Sequence, residues 1–416
     1  MATRNKQSPQ TMQTDVLIIG AGPAGSALAR QLASSGCAVV IADKKDFPRA
    51  KPCGEFLSPQ CQPLLAELGL PSLLANLDSH SVTGMRIHGG SAIATGKFRQ
   101  LAKTQAPANG FAIRREVFDH ALLQAAEQQG ARALLRHNFQ HLIRSSDGRI
   151  LGAALTTPDG ESKTCHARWV IGADGVHSRV ARDLGVQRQI EWLQQFALVT
   201  HFDGVEAMDT AEVHLLRGGF FAATTVDGAR FSLNLVLPKQ ALKLRGERSW
   251  DEFASSHMAI APHLQERLRT ATRTRPWRGT GPFAFATTTA TVPGAALVGD
   301  AAGYVDPMTG EGIYFALFCA KALGTAIRSA LDAPEHEARA MAKYRQTRSR
   351  ELNARLCGTK ALQRGLRSPW VVRRFLGTIR KWPTIADLVV TLSGDTIHPR
   401  QLWQPSFWRD FRKAAT

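Results

Sequence analysis

The chain has 416 residues, 44% of them hydrophobic and 21% charged, and a formal net charge of +18 at pH 7. This length suits two domains with an appended segment. No run of 18 uninterrupted apolar residues is present, which argues against a membrane-spanning helix. The polar start, "MATRNKQSPQTMQTD", lacks an apolar signal core, so a cytoplasmic protein is expected, with peripheral attachment to a membrane as the alternative.

In chain order, residues 1–13 read as a disordered tail. "DVLIIG" (15–20) is a short apolar run, expected to be a buried strand. A helix follows over "GAGPAGSALARQLASSG" (20–36), closed by Gly36, and then a strand at "AVVIAD" (38–43). This strand–helix–strand unit has the length of a parallel βαβ crossover. "REVFDHALLQAAEQQG" (115–130) reads as an amphipathic helix, and "WVIGADG" (169–175) as a strand ending in a glycine turn. The stretches 82–90, 196–204 and 220–238 have β character, with Asp227-Gly228 as a hairpin turn in the last. "GAALVGDAAG" (294–303) is again a strand and glycine turn, before a long helix at 312–331. Basic, helix-rich sequence fills roughly 335–416. The six cysteines (Cys37, Cys53, Cys61, Cys165, Cys319, Cys357) form no CxxC pair and read as free thiols, so no metal site is expected.

Three small-residue segments carry the chemistry. Gly20-Ala21-Gly22-Pro23-Ala24-Gly25 matches GxGxxG between a strand and a helix, and Asp43 ends the next strand. Gly20 permits the tight turn, Gly22 lets a pyrophosphate approach the backbone, and Gly25 allows close helix–strand packing. The helix start supplies free N–H groups for phosphate. Asp43 can accept hydrogen bonds from a ribose, and its charge disfavours a 2′-phosphate there. Asp174 and Gly175 form a turn after the second strand. Gly299 and Asp300 follow the third, and Gly310, Gly312 and Ile313 open the long helix, whose N–H groups can face an electron-poor ring carbonyl.

In this order and spacing the three segments resemble the FAD-dependent oxidoreductases with a p-hydroxybenzoate-hydroxylase-like fold, over most of residues 14–330. The resemblance implies an α/β architecture. A Rossmann-type FAD-binding domain is built from the discontinuous segments 14–80, 110–185 and 285–335. A β-sheet substrate domain, 81–109 and 186–284, is inserted, and a basic helical region, 336–416, follows. It also implies that the glycine motif holds the FAD pyrophosphate, that Asp43 binds ribose, that Arg115 contacts FAD, that Asp174-Gly175 support it, that Asp300 binds ribityl or ribose oxygens, and that "PMTGEGI" faces the isoalloxazine. "FPRAKPCGEFLSP" (47–59) resembles the geranylgeranyl-reductase-like and flavin-halogenase-like branch. That places Cys53, Arg49 and Lys51 near the flavin. Cys53 equally suits a small buried position, and the two cations suit either a reduced flavin, an acidic substrate or solvent.

Departures narrow the reading. The chain has no Trp-x-Trp, which disfavours halogenation, and it lacks the Trp-x-Phe-Pro signature of isoprenoid reductases. "GTGPFA" (279–284) imitates a second nucleotide fingerprint but precedes a Thr-rich stretch instead of a helix. NAD(P)H is therefore expected as a transient reductant, or a separate reductase supplies electrons. His177, His201 and His214 stand apart and read as structural. The expected activity is an FAD-dependent monooxygenase that hydroxylates or epoxidises an apolar, aromatic or polyketide-like substrate through a flavin C4a-hydroperoxide. The alternatives are a reductase or dehydrogenase acting on a C=C or C–C bond, and a non-catalytic flavin-binding or electron-carrying protein without a substrate of its own. Finally, residues 339–381 hold thirteen Lys and Arg against one acid, with interleaved aromatics. That charge points to an anionic partner, either an acidic carrier protein that delivers the small-molecule substrate or a membrane surface, or to a solvated helix face. No recognition motif supports nucleic acid.

Overall fold

The computed structural model describes residues 10–90, 92–100 and 107–413. Its first sheet has a parallel core, in the spatial order Ala295–Leu297, Ser162–Gly172, Gln10–Ile19, Val39–Asp43 and Arg132–Leu135. Val16, Leu17, Ile18 and Ile41 are fully buried. Both faces are covered, so these strands read as continuous apolar runs instead of alternating ones. The helix Pro23–Ala33 packs against the helices Arg115–Glu127 and Gly312–Asp332. Gly25 lets the start of this helix lie close against the glycine turn: a Cβ there would lie 1.9 Å from the carbonyl oxygen of Gly20.

The N-terminal strand begins earlier than the apolar run suggests. Gln10–Gln13 pair with Lys163–His166, and Met12 packs on the core. The long strand Ser162–Gly172 offers a ladder edge beyond the apolar residues, and the polar segment fills it. The expected tail is therefore wrong for 10–13, while 1–9 lie outside the described residues. An antiparallel meander, Asn138–Arg144 and Ile150–Thr156, leads into Ser162–Gly172.

The second sheet takes its strands from two separated stretches of chain. Gly84–Gly89 and Ala92–Lys97 join Gln195–Asp203, Thr210–Leu216, Gly219–Val226, Arg230–Pro238 and the short strands Thr272–Arg273 and Arg278–Phe283. Asp227, Gly228 and Ala229 link the paired ends Val226 and Arg230 of the Gly219–Pro238 hairpin, and the first two have φ of 51° and 70°, both positive as the centre of a primed turn requires. "GTGPFA" lies in and just after the strand Arg278–Phe283, which pairs with Gln195–Val199, and opens no helix. Phe221, Phe231, Leu233 and Leu235 on one face of the sheet form a core with Phe253 and Leu264 of the helices Trp250–Met258 and Pro262–Arg267.

Helices Glu337–Leu366, Pro369–Lys381, Pro383–Ser393 and Pro405–Lys413 complete the chain. The second and third lie directly on the hairpin 84–97. Glycine permits that contact: a Cβ on Gly96 would lie 2.4 Å from the Ala386 carbonyl oxygen, and one on Gly89 2.1 Å from Leu376 Cδ1. Asp387 locks the arrangement by accepting from Lys97 N at 2.7 Å and pairing with Arg99. Among the described residues one helix, Gly312–Asp332, is long and apolar enough to cross a membrane. Eleven of its residues, from Ile313 to Ala330, are buried within the fold.

Candidate active site

A cleft runs between the parallel sheet and the second sheet. It brings together most of the residues singled out in the sequence: Gly22, Pro23 and Ala24, then Lys51, Cys53, Arg115 and Gly175, then Asp300, Gly310, Gly312 and Ile313. Segments almost 300 residues apart meet here because Gly299, at φ +59°, comes so close to the first helix that a Cβ would lie 2.8 Å from Ala24 Cβ.

Two helix starts open on this cleft, at Pro23 and at Gly312, and neither is capped by a side chain. Each leaves backbone N–H groups and the positive end of a helix dipole for an anionic or electron-rich ligand. Gly22 has only Arg49 Nη2 near its missing side chain, at 3.8 Å. Asp43 accepts from Ala21 N and Lys45 N, both at 2.9 Å, which fixes the carboxylate at the end of its strand. Arg49 lies between Asp43 and Asp119, at 3.7 and 3.6 Å, with Phe47 beneath it. Two carboxylates keep it at the glycine-loop end.

Further in, Arg115 makes a bidentate pair with Asp119 at 2.6 and 2.8 Å and donates to Cys53 Sγ at 3.3 Å. The nearby carboxylate raises its already high pKa despite burial. Lys51 and Asp300 form no hydrogen bond among the described residues. Burial and then the Arg115 charge push Lys51 down, whereas burial pushes Asp300 up against the pull of Lys51 and Arg115. Asp174 differs: it accepts from Ser178 Oγ at 2.6 Å and from Arg179 N at 2.7 Å, so it orders the helix Arg179–Asp183 while its neighbour Gly175 lines the cleft. Gly20 and Gly25 pack behind it.

The other end of the cleft is apolar. Ala197, Val199, Phe220, Ala222, Val236 and Phe283 come from the second sheet, with Asn234 and Thr280 as polar points. Sequence reasoning missed Tyr304 and Glu55. Tyr304 lines the cleft with its ring edge-on to Phe283 at 5.4 Å, and burial raises its pKa well above the ordinary phenol value. It stood in plain view, one residue beyond Gly303. Glu55 follows "KPCG" at φ +55°, accepts from Arg115 N at 3.3 Å and pairs with His201 Nε2 at 2.7 Å. That pair spans 146 residues, and nothing local announces it.

His214 lies in a separate buried cluster with His88 and Glu212, whose donor atoms fall within 4.8 Å of one another. Arg267 and Arg86 each stand 3.8 Å from Glu212, and the two imidazoles are stacked at 4.2 Å. The two guanidiniums oppose a cation there, and Glu212 is held well below the usual carboxylate range by His214, His88 and Arg267 in spite of burial.

The cleft fits an extended dinucleotide. Two uncapped helix starts, a glycine backbone open to approach, and an unpartnered Lys51 and Asp300 leave donors and acceptors along its whole length. Comparison with known proteins agrees. The sequence profile of the FAD binding domain family matches residues 13–356. The chain is 27% identical over 355 residues to digeranylgeranylglycerophospholipid reductase 2 of Methanopyrus kandleri, covering 80% of this chain and 81% of that one. It is 24% identical over 408 residues to a 1H-pyrrole-2-carbonyl-[peptidyl-carrier protein] brominase of Pseudoalteromonas luteoviolacea, covering 95% of each. PqsL of Pseudomonas aeruginosa, described as "a probable FAD-dependent monooxygenase", superposes with a TM-score of 0.71 at 20% identity, covering 88% of this chain and 99% of that one.

Proposed function

The chain belongs to the FAD binding domain family, and from that premise we propose that it is an FAD-dependent monooxygenase acting on an apolar, aromatic or polyketide-like small molecule. FAD, when bound, accepts hydride from a reduced nicotinamide and activates oxygen. The chain's own residues do the rest. In this reading the Pro23 helix start and Arg49 hold the pyrophosphate, Asp43 and Asp300 hold sugar and ribityl hydroxyls, and the Gly312 helix start faces the ring. Lys51 and Arg115 place positive charge on that side of the cleft, where added electron density is stabilised. The parallel sheet serves as the dinucleotide-binding unit and the second sheet as the substrate wall.

The observation that carries the proposal is the continuity of one cleft from the glycine loop to a wall of Val199, Phe220, Val236 and Phe283. That wall excludes water from the reacting centre, which an oxygen-activating flavin needs and a simple electron carrier does not. With NAD(P)H, oxygen and a panel of alkylated phenols and polyketide lactones, the purified protein should form oxygenated product carrying one atom from O₂. Product formed equally well without oxygen would replace this assignment with the second reading.

That second reading is reduction of a C=C bond. It is favoured by Cys53 and Tyr304, two proton-bearing groups on the cleft wall, and by the reductase named among the relatives. The same relatives include a brominase, but the chain has no Trp-x-Trp, and halogenation is not part of the proposal.

The basic C-terminal helices are read as a docking face for an anionic bilayer. Trp370, Trp382 and Trp403 are 66%, 54% and 89% exposed beside Arg373, Arg374, Arg380, Lys381 and Arg400. Indole rings with flanking cations suit a lipid headgroup region better than the polar face of an acidic carrier protein. Not all the charge serves this face. Arg355 is buried, and Arg348 donates to the Ala302 carbonyl at 2.8 Å.

A further inference from the structure

A second cavity, open to solvent on one side, lies under the C-terminal helices. Its lining is mostly hydrocarbon. Met85, Ile87, Val213 and Leu215 come from the second sheet, and Leu362, Phe375, Val389 and Leu392 are among the helix residues above it. Its two charged lining groups, Glu311 and Arg355, are paired with each other at 3.3 Å. Hydrocarbon walls without unpaired charge suit an apolar guest.

The cavity and the cleft share one floor and one dividing loop. Strand register makes the floor continuous. Val236 faces Phe220 across the hairpin, Phe220 faces Leu215, Ala222 faces Val213, and Val213 faces Ile87. The first residues of this row line the cleft and the last line the cavity. The loop 307–312 stands on this floor with alternating allegiance. Pro307, Gly310 and Gly312 line the cleft, while Met308, Thr309 and Glu311 line the cavity. Met308 packs into the cluster formed by Phe220, Val236 and Leu215. Methionine is unbranched and adaptable, so this divider can yield to a chain threaded past it.

We infer that the cavity receives the hydrocarbon tail of an amphiphilic substrate whose reactive head occupies the cleft, with Met308 as the movable divider between them. The inference rests on the proposed function for the head and adds the class of the tail: an unbranched or isoprenoid chain long enough to pass the 307–312 loop. Gly358, exposed near the middle of the helix Glu337–Leu366, marks where the cavity meets solvent, and a Cβ built there has no atom within 4 Å.

Binding tests this without turnover. The probe is cis-parinaric acid, a fluorescent unsaturated fatty acid, displaced from the FAD-loaded full chain by n-alkylphenols of increasing length. Each buried methylene is worth about 0.8 kcal/mol, so displacement should strengthen about fourfold per methylene until the cavity is full. Ala354→Phe and Gly358→Phe, which narrow the cavity from two turns of one helix, should each weaken dodecylphenol at least tenfold more than propylphenol. Flavin absorbance and the melting temperature identify variants that fold. Affinity independent of chain length, or equal losses for long and short phenols in a folded variant, would overturn the inference. Failure of oxygen-dependent turnover with normal chain-length dependence would overturn the proposed reaction and leave the tail site standing.

Discussion

At the scale of single residues, the glycine motif divides into two jobs that substitution can separate. Gly25 has no room: its Cβ would fall 1.9 Å from Gly20 O. Gly25→Ala should cost about 1–3 kcal/mol through forced displacement of the helix and yield protein without flavin absorbance. Gly22 has room in the protein itself, with only Arg49 Nη2 at 3.8 Å. Gly22→Ala should fold with a near-normal melting temperature yet bind FAD at least tenfold more weakly, because the methyl group occupies the space the pyrophosphate needs. Equal melting temperatures for the two variants would refute this division. The sequence assigned these roles from spacing alone, since each depends on a backbone a few residues away. The partners of Arg49 and Glu55 were not legible, because Asp119 and His201 reach them through the fold. Asp174 was legible as a turn residue, but its acceptors turn toward Ser178 and Arg179.

At the scale of elements, the loop 305–311 is the piece on which cleft and cavity both depend. Asp306 sits in it with Oδ1 accepting from Met308 N at 2.7 Å and with Gln363 beside its buried carboxyl. Burial raises its pKa to about 7. The folded state therefore favours the protonated carboxyl, while the unfolded chain releases the proton near pH 4. Between those values the native state holds more protons than the unfolded one, so stability falls as pH rises from about 4 to about 7 and then levels off. Melting temperatures measured across this range should decline in the wild type and decline less in Asp306→Asn; identical slopes would show that Asp306 is solvated. Elements themselves were unevenly legible. Fully buried parallel strands announce themselves as apolar runs, as at 15–20 and 38–43. The strand residues Gln10–Gln13 and the meander around Ile150–Thr156 do not, because their pairing is set by a neighbouring ladder edge and not by their own composition.

At the scale of the whole molecule, exposed indoles are concentrated in the helices after Leu366, beside five of the thirteen cations of residues 339–381. Binding to vesicles containing phosphatidylserine should exceed binding to phosphatidylcholine vesicles and weaken as salt is raised, since exposed charges are screened over about 8 Å at physiological ionic strength. Trp370→Ser together with Trp403→Ser should reduce it further at fixed salt; cosedimentation indifferent to both changes would remove the bilayer reading. The basic character of this region was plain in the sequence, but its contribution to a cavity was not. That depends on Gly89 and Gly96 letting two helices settle on a distant hairpin. The Arg355 cluster carries this dependence to the reaction centre. Its guanidinium joins Glu311, one residue before the helix that opens on the cleft, to Asp395 at 3.0 Å and to the carbonyl of Ile397 at 3.2 Å, all buried. The family profile covers residues 13–356, yet the helix that opens on the cleft is anchored to residues some 40 positions later. The C-terminal helices are thus a keystone of the cleft, and replacing them would also remove the fastening that holds its second helix start in place.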